Sequence, residues 1–300
     1  MAQNASPLSM DHRTGNLPSG TVVHIWPTTS PRAVVILQHG FGEYAERYVN
    51  HHNSLILNLT KLRFEVRALD MWGHGRSPGT RGVTDISKAV QDHVLLRHQT
   101  TRDNPSLPIF LFGHSFGGLV TAGSVVADNS HITGVVLIGP ALPAELPKIA
   151  RCAVGIVAKL LPTASISSKG APQSGLSRIP EVIANAEADA MLTRRGIPFM
   201  LAATALNTMR SVRAGYNRWT VPTLVLHGTA DLYTEPMGSD RLVNAIASKD
   251  KTLKLFEGGH HELLHDLEGH EALTQVLQWL DSHSKEDRDE IFFGNIRVFQ

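Results

Sequence analysis

The chain has 300 residues, the length of about two average domains or, equally well, of one α/β domain with an inserted segment, and it can bury a large core. Hydrophobic residues make up 42% and charged residues 18%, the latter below the roughly 25% of ordinary soluble domains, which excludes wholesale disorder. Twenty-eight basic against 27 acidic side chains leave a formal net charge of +1, and no basic stretch is interleaved with aromatics, so no nucleic acid partner is expected.

The opening MAQNASPLSMDHRTGN is polar, without the charged-then-apolar pattern of a secretory signal, and no run of about 18 apolar residues follows, so a cytoplasmic protein is expected. Short apolar, β-branched runs then recur at Val22 to Trp26, Ala33 to Gln38, Phe64 to Leu69, Ile109 to Phe112, Val135 to Ile138, Thr223 to Leu226 and Thr252 to Phe256. Continuous runs of this length suit strands buried on both faces. Helical patterns separate most of them, at Tyr44 to Leu59, Asp85 to Asp103 and Gly117 to Asp128. The alternation predicts a mostly parallel, doubly wound α/β sheet.

The rhythm breaks between Gly139 and Val221, where about eighty residues pass without a strand, too many for a structureless loop in a compact domain. A helical stretch (Leu146 to Leu161), a Ser/Gly/Pro-rich loop (Pro162 to Gly175) and two further helical patterns predict an inserted helical cap. Residues 1–140 and 220–284 then form the core, 141–219 the cap and 285–300 a loosely held tail. Within Leu146 to Leu161, Lys148, Arg151 and Lys159 share one stripe, opposite Ile149, Ala153, Ile156, Val157 and Leu160. A lid packed over an apolar tunnel is the favoured reading, with peripheral contact to an anionic bilayer as an addition.

Gly113-His114-Ser115-Phe116-Gly117 directly follows a strand and precedes a helix, the context that a G-x-S-x-G nucleophile elbow requires. A serine hydroxyl needs a histidine to accept its proton and a carboxylate to fix the imidazole tautomer, in the chain order Ser, acid, His for this architecture. Asp231 and the pair His260-His261 each follow a strand end and meet that order. Asp231 could instead cap the next helix, and strand-end position does not separate the two histidines. A rival pattern, His261-Glu262-Leu263-Leu264-His265, matches H-E-x-x-H of zinc hydrolases. The extended metzincin form fails, because Glu268 and Glu271 stand at its glycine and third-histidine positions; a downstream glutamate such as Glu286 would have to serve. Cys152 is the single cysteine, which excludes an intrachain disulfide and Cys-rich zinc sites.

Five segments together carry a resemblance: Gln38 to Glu43 with Arg47-Tyr48, Asp70 to Ser77, the Ser115 elbow, Val221-Pro222 leading to Asp231, and Asp250 to Lys254 leading to His261. Over residues 15–282 the chain resembles the monoacylglycerol lipases of the α/β-hydrolase superfamily. The resemblance implies Ser115 as nucleophile, His261 as base and acid, and Asp231 as its orienter. It also implies an oxyanion hole from the Phe41 and Phe116 N–H groups. Glu43, Arg47 and His265 fall where the family shapes its glycerol-head site; helix-surface ion pairs are the plain alternative. Asp70, His74, Arg76 and His39 are expected to support their loops. The cap departs from the family at Asn185 to Met191, where relatives carry a tyrosine and an Asp-Pro.

The expectation is a cofactor-free, metal-free serine hydrolase acting on a monoacylglycerol or similar apolar-chain ester through an acyl-enzyme. A lactonase, thioesterase or general carboxylesterase on the same triad, and a non-catalytic binding module, are the competing readings.

Overall fold

The computed structural model describes residues 11–166, 173–193 and 195–284. The expected tail at 285–300 and part of the expected loop, 167–172, lie outside the described residues.

Eight strands form one sheet: β1 (Arg13–Asn16), β2 (Val22–Trp26), β3 (Ala33–Gln38), β4 (Phe64–Leu69), β5 (Ile109–His114), β6 (Gly134–Ile138), β7 (Thr223–Gly228) and β8 (Lys251–Phe256), in the order β1-β2-β4-β3-β5-β6-β7-β8. β1 and β2 run antiparallel at one edge and the remaining strands are parallel. The seven expected strands are all present. β1 is additional; its four residues are exposed and carry no apolar alternation.

Side chains along each inner strand alternate between two cores. Ile36, Leu111, Leu137 and Val225 join one, completed by α3 (Ile86–Asp103), α4 (Phe116–Ala127) and α8 (Pro236–Ala245). Val35, Phe110, Ile138 and Leu226 join the other, under α1 (Arg47–Asn50), α2 (Leu55–Lys61) and α9 (Gly269–His283). Burial on both faces explains why these strands read as continuous apolar runs. The single helix expected over Tyr44 to Leu59 is broken: His52, Asn53 and Ser54 have φ of 50°, 52° and 52°. Asn and His tolerate this left-handed region better than most residues, so the chain turns while the apolar spacing continues.

Between β6 and β7 lie α5 (Lys148–Leu160), α6 (Pro180–Ala188) and α7 (Phe199–Ala214). α7 lies within the segment expected as the cap, and its Leu201, Ala205, Met209 and Val212 belong to the first core. The favoured packing of α5 over an apolar tunnel is corrected. Its apolar stripe faces solvent, with Ile149 86%, Ile156 59% and Leu160 74% exposed.

The chain moves from β3 to β4 in one direction and from β5 to β8 in the other, so the sheet reverses its order between β3 and β5. Open α/β sheets hold their ligands at the carboxyl ends of the strands beside such a reversal. Register aligns those ends: Gln38 pairs with Gly113, His114 with Ile138, and Gly228 with Phe256.

Three buried histidines make stability pH-dependent. Burial lowers His52 to about 4 and His74 and His93 to about 3, against 6.5 for a free side chain. The unfolded chain takes up these protons first as pH falls, so stability drops between pH 6.5 and about 4. One unit of separation corresponds to about 1.4 kcal/mol per group, giving several kcal/mol in all. Calorimetry should find Tm at least about 10 °C lower at pH 4.5 than at pH 7; a flat Tm would contradict the buried neutral state.

Candidate active site

Ser115 sits at the sharp turn from β5 into α4, with φ 54° and ψ −124°. The glycines flanking it make that turn sterically feasible. A Cβ on Gly117 would lie 2.2 Å from the Gln38 carbonyl oxygen, and one on Gly113 would lie 2.6 Å from Thr121 Oγ1. Backbone bonds pin the strained residue: its N–H donates to Ile138 O at 3.1 Å, and its carbonyl accepts from Gly118 and Ala141 at 2.9 and 2.8 Å.

The loops after β7 and β8 bring Asp231 and His261 to the same point. His261 Nδ1 lies 2.7 Å from Asp231 Oδ2 and its Nε2 lies 3.0 Å from Ser115 Oγ. A carboxylate only accepts, so Nδ1 carries the proton and Nε2 is left to accept from the serine hydroxyl. Asp231 Oδ1 accepts from the N–H groups of Tyr233 and Thr234 at 2.7 and 3.0 Å, and Oδ2 accepts the Thr234 hydroxyl at 2.7 Å. Burial would raise its pKa; the charge of His261 and hydrogen bonds from His227, His261 and Thr234 outweigh it and hold the carboxyl far below the usual range. Asp231 does not cap the next helix, since α8 begins at Pro236. His260 is not among the residues lining the cavity at Ser115, and its backbone N–H donates to Asp266 Oδ2 at 2.8 Å.

Phe41 and Phe116 face each other across the site, their rings edge to face at 6.2 Å. Phe116 supplies the first N–H of α4, one that a helix leaves without an intrahelical partner. Among the described residues the Phe41 N–H has no hydrogen-bond partner either. The adjoining Gly40 N–H is held by Glu43 Oε1 at 2.7 Å.

Glu43 and Arg47 are almost fully buried, which removes the helix-surface reading. Glu43 Oε1 also accepts from the Tyr48 hydroxyl and from His114 Nδ1, both at 2.7 Å. Arg47 forms a two-pronged pair with Glu262 at 2.7 and 3.0 Å and touches Glu43 at 3.3 Å. Burial would raise both carboxyls; cationic neighbours, His114 for Glu43 and Arg47 for Glu262, pull them well below the usual range. Burial lowers His114, and the Glu43 charge outweighs it and raises the imidazole. His265 stands behind this group, its Nδ1 3.4 Å from Glu262 Oε2, and is not among the residues lining the cavity. His114, Tyr48, His52 and Glu262 escaped the sequence reading. Glu262 and His114 were visible inside motifs, but nothing in spacing joins Glu43 to residues 71 and 219 positions away.

The H-E-x-x-H pattern does not form a metal site. Residues Leu263–His265 make a single 3-10 turn instead of an α-helix, and His261 already faces Asp231 and Ser115. Among the described residues two other groups gather ligand atoms, His12/His24/Glu46 and Glu43/His52/Glu262. In the second the Arg47 guanidinium, 2.7 Å from Glu262 and 3.0 Å from His52, occupies the place of a cation. Asp70 and His39 support loops as expected: Asp70 accepts from Ala45 N–H and Arg76 N–H at 2.9 and 2.7 Å, and His39 Nε2 accepts from Met71 N–H at 3.0 Å.

Ser115 opens onto a cavity of about 690 Å³. Its lining combines apolar side chains, Ile166, Leu176, Leu192, Ile197 and Leu232, with the polar group Glu43, Arg47, His114 and Glu262.

A mostly parallel eight-stranded sheet, with a serine on a strand-to-helix elbow at its carboxyl edge, is the α/β-hydrolase fold. The crystal structure of a monoacylglycerol lipase from Paleococcus ferrophilus matches it with a TM-score of 0.77 at 33% identity, covering 88% of this chain and 99% of that one. A monoacylglycerol lipase of Mycolicibacterium smegmatis is 34% identical over 266 residues, 87% of this chain and 93% of that protein. The monoglyceride lipase of Rattus norvegicus is 34% identical over 261 residues, 85% of this chain and 83% of that protein. Residues 29–268 match the family described as Serine aminopeptidase, S33, and the chain belongs to it. It is a serine hydrolase of the carboxylic ester class, similar to monoacylglycerol lipases.

Proposed function

We propose that the chain hydrolyses monoacylglycerols, or closely similar apolar-chain esters, through an acyl-enzyme on Ser115. The observation that carries this reading is the hydrogen-bonded series Asp231–His261–Ser115 opening onto a cavity lined by both apolar and polar side chains. Ser115 Oγ attacks the ester carbonyl as His261 Nε2 takes its proton. The Phe41 and Phe116 N–H groups receive the developing oxyanion. Collapse expels glycerol, protonated by His261, and water then repeats the sequence to release the fatty acid. The acyl chain lies along Leu176, Leu192 and Leu232, and the glycerol head meets the wall of Glu43, Arg47 and Glu262. The carboxylates of that wall suit hydroxyl donors.

Within residues 141–219, α5 and α6 act as the cap. The solvent-facing stripe Ile149, Ile156 and Leu160, flanked by exposed Lys148 and Lys159, suits peripheral docking on an anionic lipid surface. Among the described residues no helix is long and apolar enough to cross a membrane.

Rates compared across monoacylglycerols, diacylglycerols, short p-nitrophenyl esters and macrocyclic lactones test the substrate. Long-chain monoacylglycerols should have the highest kcat/KM. A lactone or short ester turned over faster would replace this reading with one of the other hydrolase activities. Replacing the three stripe residues by serine should slow hydrolysis of vesicle-borne substrate alone.

A further inference from the structure

The loop that carries His261 is braced by the inserted segment as well as by the strand it follows. The His261 and Glu262 N–H groups donate to the carbonyls of Gly175 and Leu176 at 3.3 and 2.8 Å. Ser177 Oγ donates to His265 O at 2.7 Å. At the end of the loop the Asp266 side chain is fully buried, and Arg178 donates to it from its backbone N–H at 2.7 Å, from Nε at 2.9 Å and from Nη2 at 2.8 Å. The same carboxylate accepts the His260 N–H at 2.8 Å. Asp266 thus ties the residue before His261, the far end of the loop and the inserted segment to one another.

We propose that Arg178 and Asp266 are positioning residues through which the inserted segment sets where His261 stands relative to Ser115. The proposal rests on His261 being the base, as in the function proposed above. Neither side chain lines the cavity, so neither is placed to touch substrate. Their effect runs through the loop. A displacement of about 1 Å at a catalytic group can cost on the order of a hundredfold in rate, whereas substrate binding along the cavity walls would be preserved. Burial favours the neutral Asp266, but hydrogen bonds from Arg178 and from the backbone keep its pKa lowered, so the carboxylate is the form that holds the lock.

The test uses the full chain, a soluble p-nitrophenyl ester and a fluorophosphonate probe, with Asp266→Asn, Arg178→Gln, Arg178→Lys and Ser177→Ala. In Asp266→Asn and Arg178→Gln, kcat and the rate of fluorophosphonate acylation should fall together by about 10- to 100-fold, with KM within about twofold. The double variant should be no slower than the worse single one, because both changes open the same lock. Arg178→Lys, which keeps a charged donor, should recover part of the rate. The milder Ser177→Ala, which removes the bonds to His265 O and from Ile179 N–H, should lower kcat about two- to fivefold in a protein that still folds, its Tm only a few degrees lower, and carries the test if the charge variants fail to fold. A kcat and acylation rate within twofold of wild type in folded variants, or a rise in KM at unchanged kcat, would overturn the proposal. A wild type that reacts with the probe yet hydrolyses no monoacylglycerol would overturn the substrate reading and leave this one standing.

Discussion

Replacing Ser115 by alanine should lower kcat by about four orders of magnitude or more and leave the protein folded. The hydroxyl is the only nucleophile that the described residues present to His261 Nε2, at 3.0 Å. On the proposed mechanism its removal deletes the covalent route and leaves the Phe41 and Phe116 N–H groups and the cavity in place, whose residual effect is small beside the full reaction. The fold should survive because the turn is held by backbone bonds to Ile138, Gly118 and Ala141, none of which uses the side chain. Asp231→Asn should also be slow, because an amide NH₂ facing Nδ1 favours the tautomer whose Nε2 carries the proton and cannot accept from serine. Steady-state kinetics beside circular dichroism separates lost chemistry from lost structure; near-native turnover in Ser115→Ala would reject the assignment.

The second large effect is on stability. Arg47→Met should destabilise the protein by about 3–5 kcal/mol, because it leaves the Glu43 and Glu262 carboxylates buried without their shared cation. For a chain of this length the loss corresponds to a fall in Tm on the order of 10 °C. A surface ion pair would be worth less than about 1 kcal/mol, so the magnitude alone decides between the two descriptions of Arg47. Adding Glu262→Gln and Glu43→Gln to Arg47→Met should return much of the stability, since no unpaired charge then remains inside. Thermal unfolding of the single and triple variants checks this. An Arg47→Met protein as stable as wild type would contradict the buried network.

The parts of the fold that were legible in the sequence are those where one physical cause acts locally. β3, β5, β6 and β7 are buried on both faces, and unbroken apolar runs announce them. The Ser115 turn is equally plain, because sterics demand glycine at Gly113 and Gly117. β1 was silent, since backbone pairing with β2 holds Arg13–Asn16 without burying a side chain. The break at His52 to Ser54 was hidden because apolar spacing reports a face and not the backbone dihedrals between its residues. For α5 the pattern gave an amphipathic helix but not which side meets water, and its apolar stripe proved to be the exposed one. The choice between His260 and His261 needed the loop conformation; His261, favoured by resemblance, is the one that faces Ser115. Glu43, His114 and Glu262 meet only after the sheet has folded, so a long-range polar network of this kind leaves no periodic trace.

Covalent labelling tests the central claim most directly. Incubated with a fluorophosphonate, the wild-type chain should take up one equivalent of label, found by peptide mass spectrometry on Ser115, and His261→Ala should label at least about a hundredfold more slowly. An unlabelled Ser115, or equal labelling rates with and without the His261 imidazole, would mean that the hydroxyl is not activated and that the chain does not work as a serine hydrolase through these three residues.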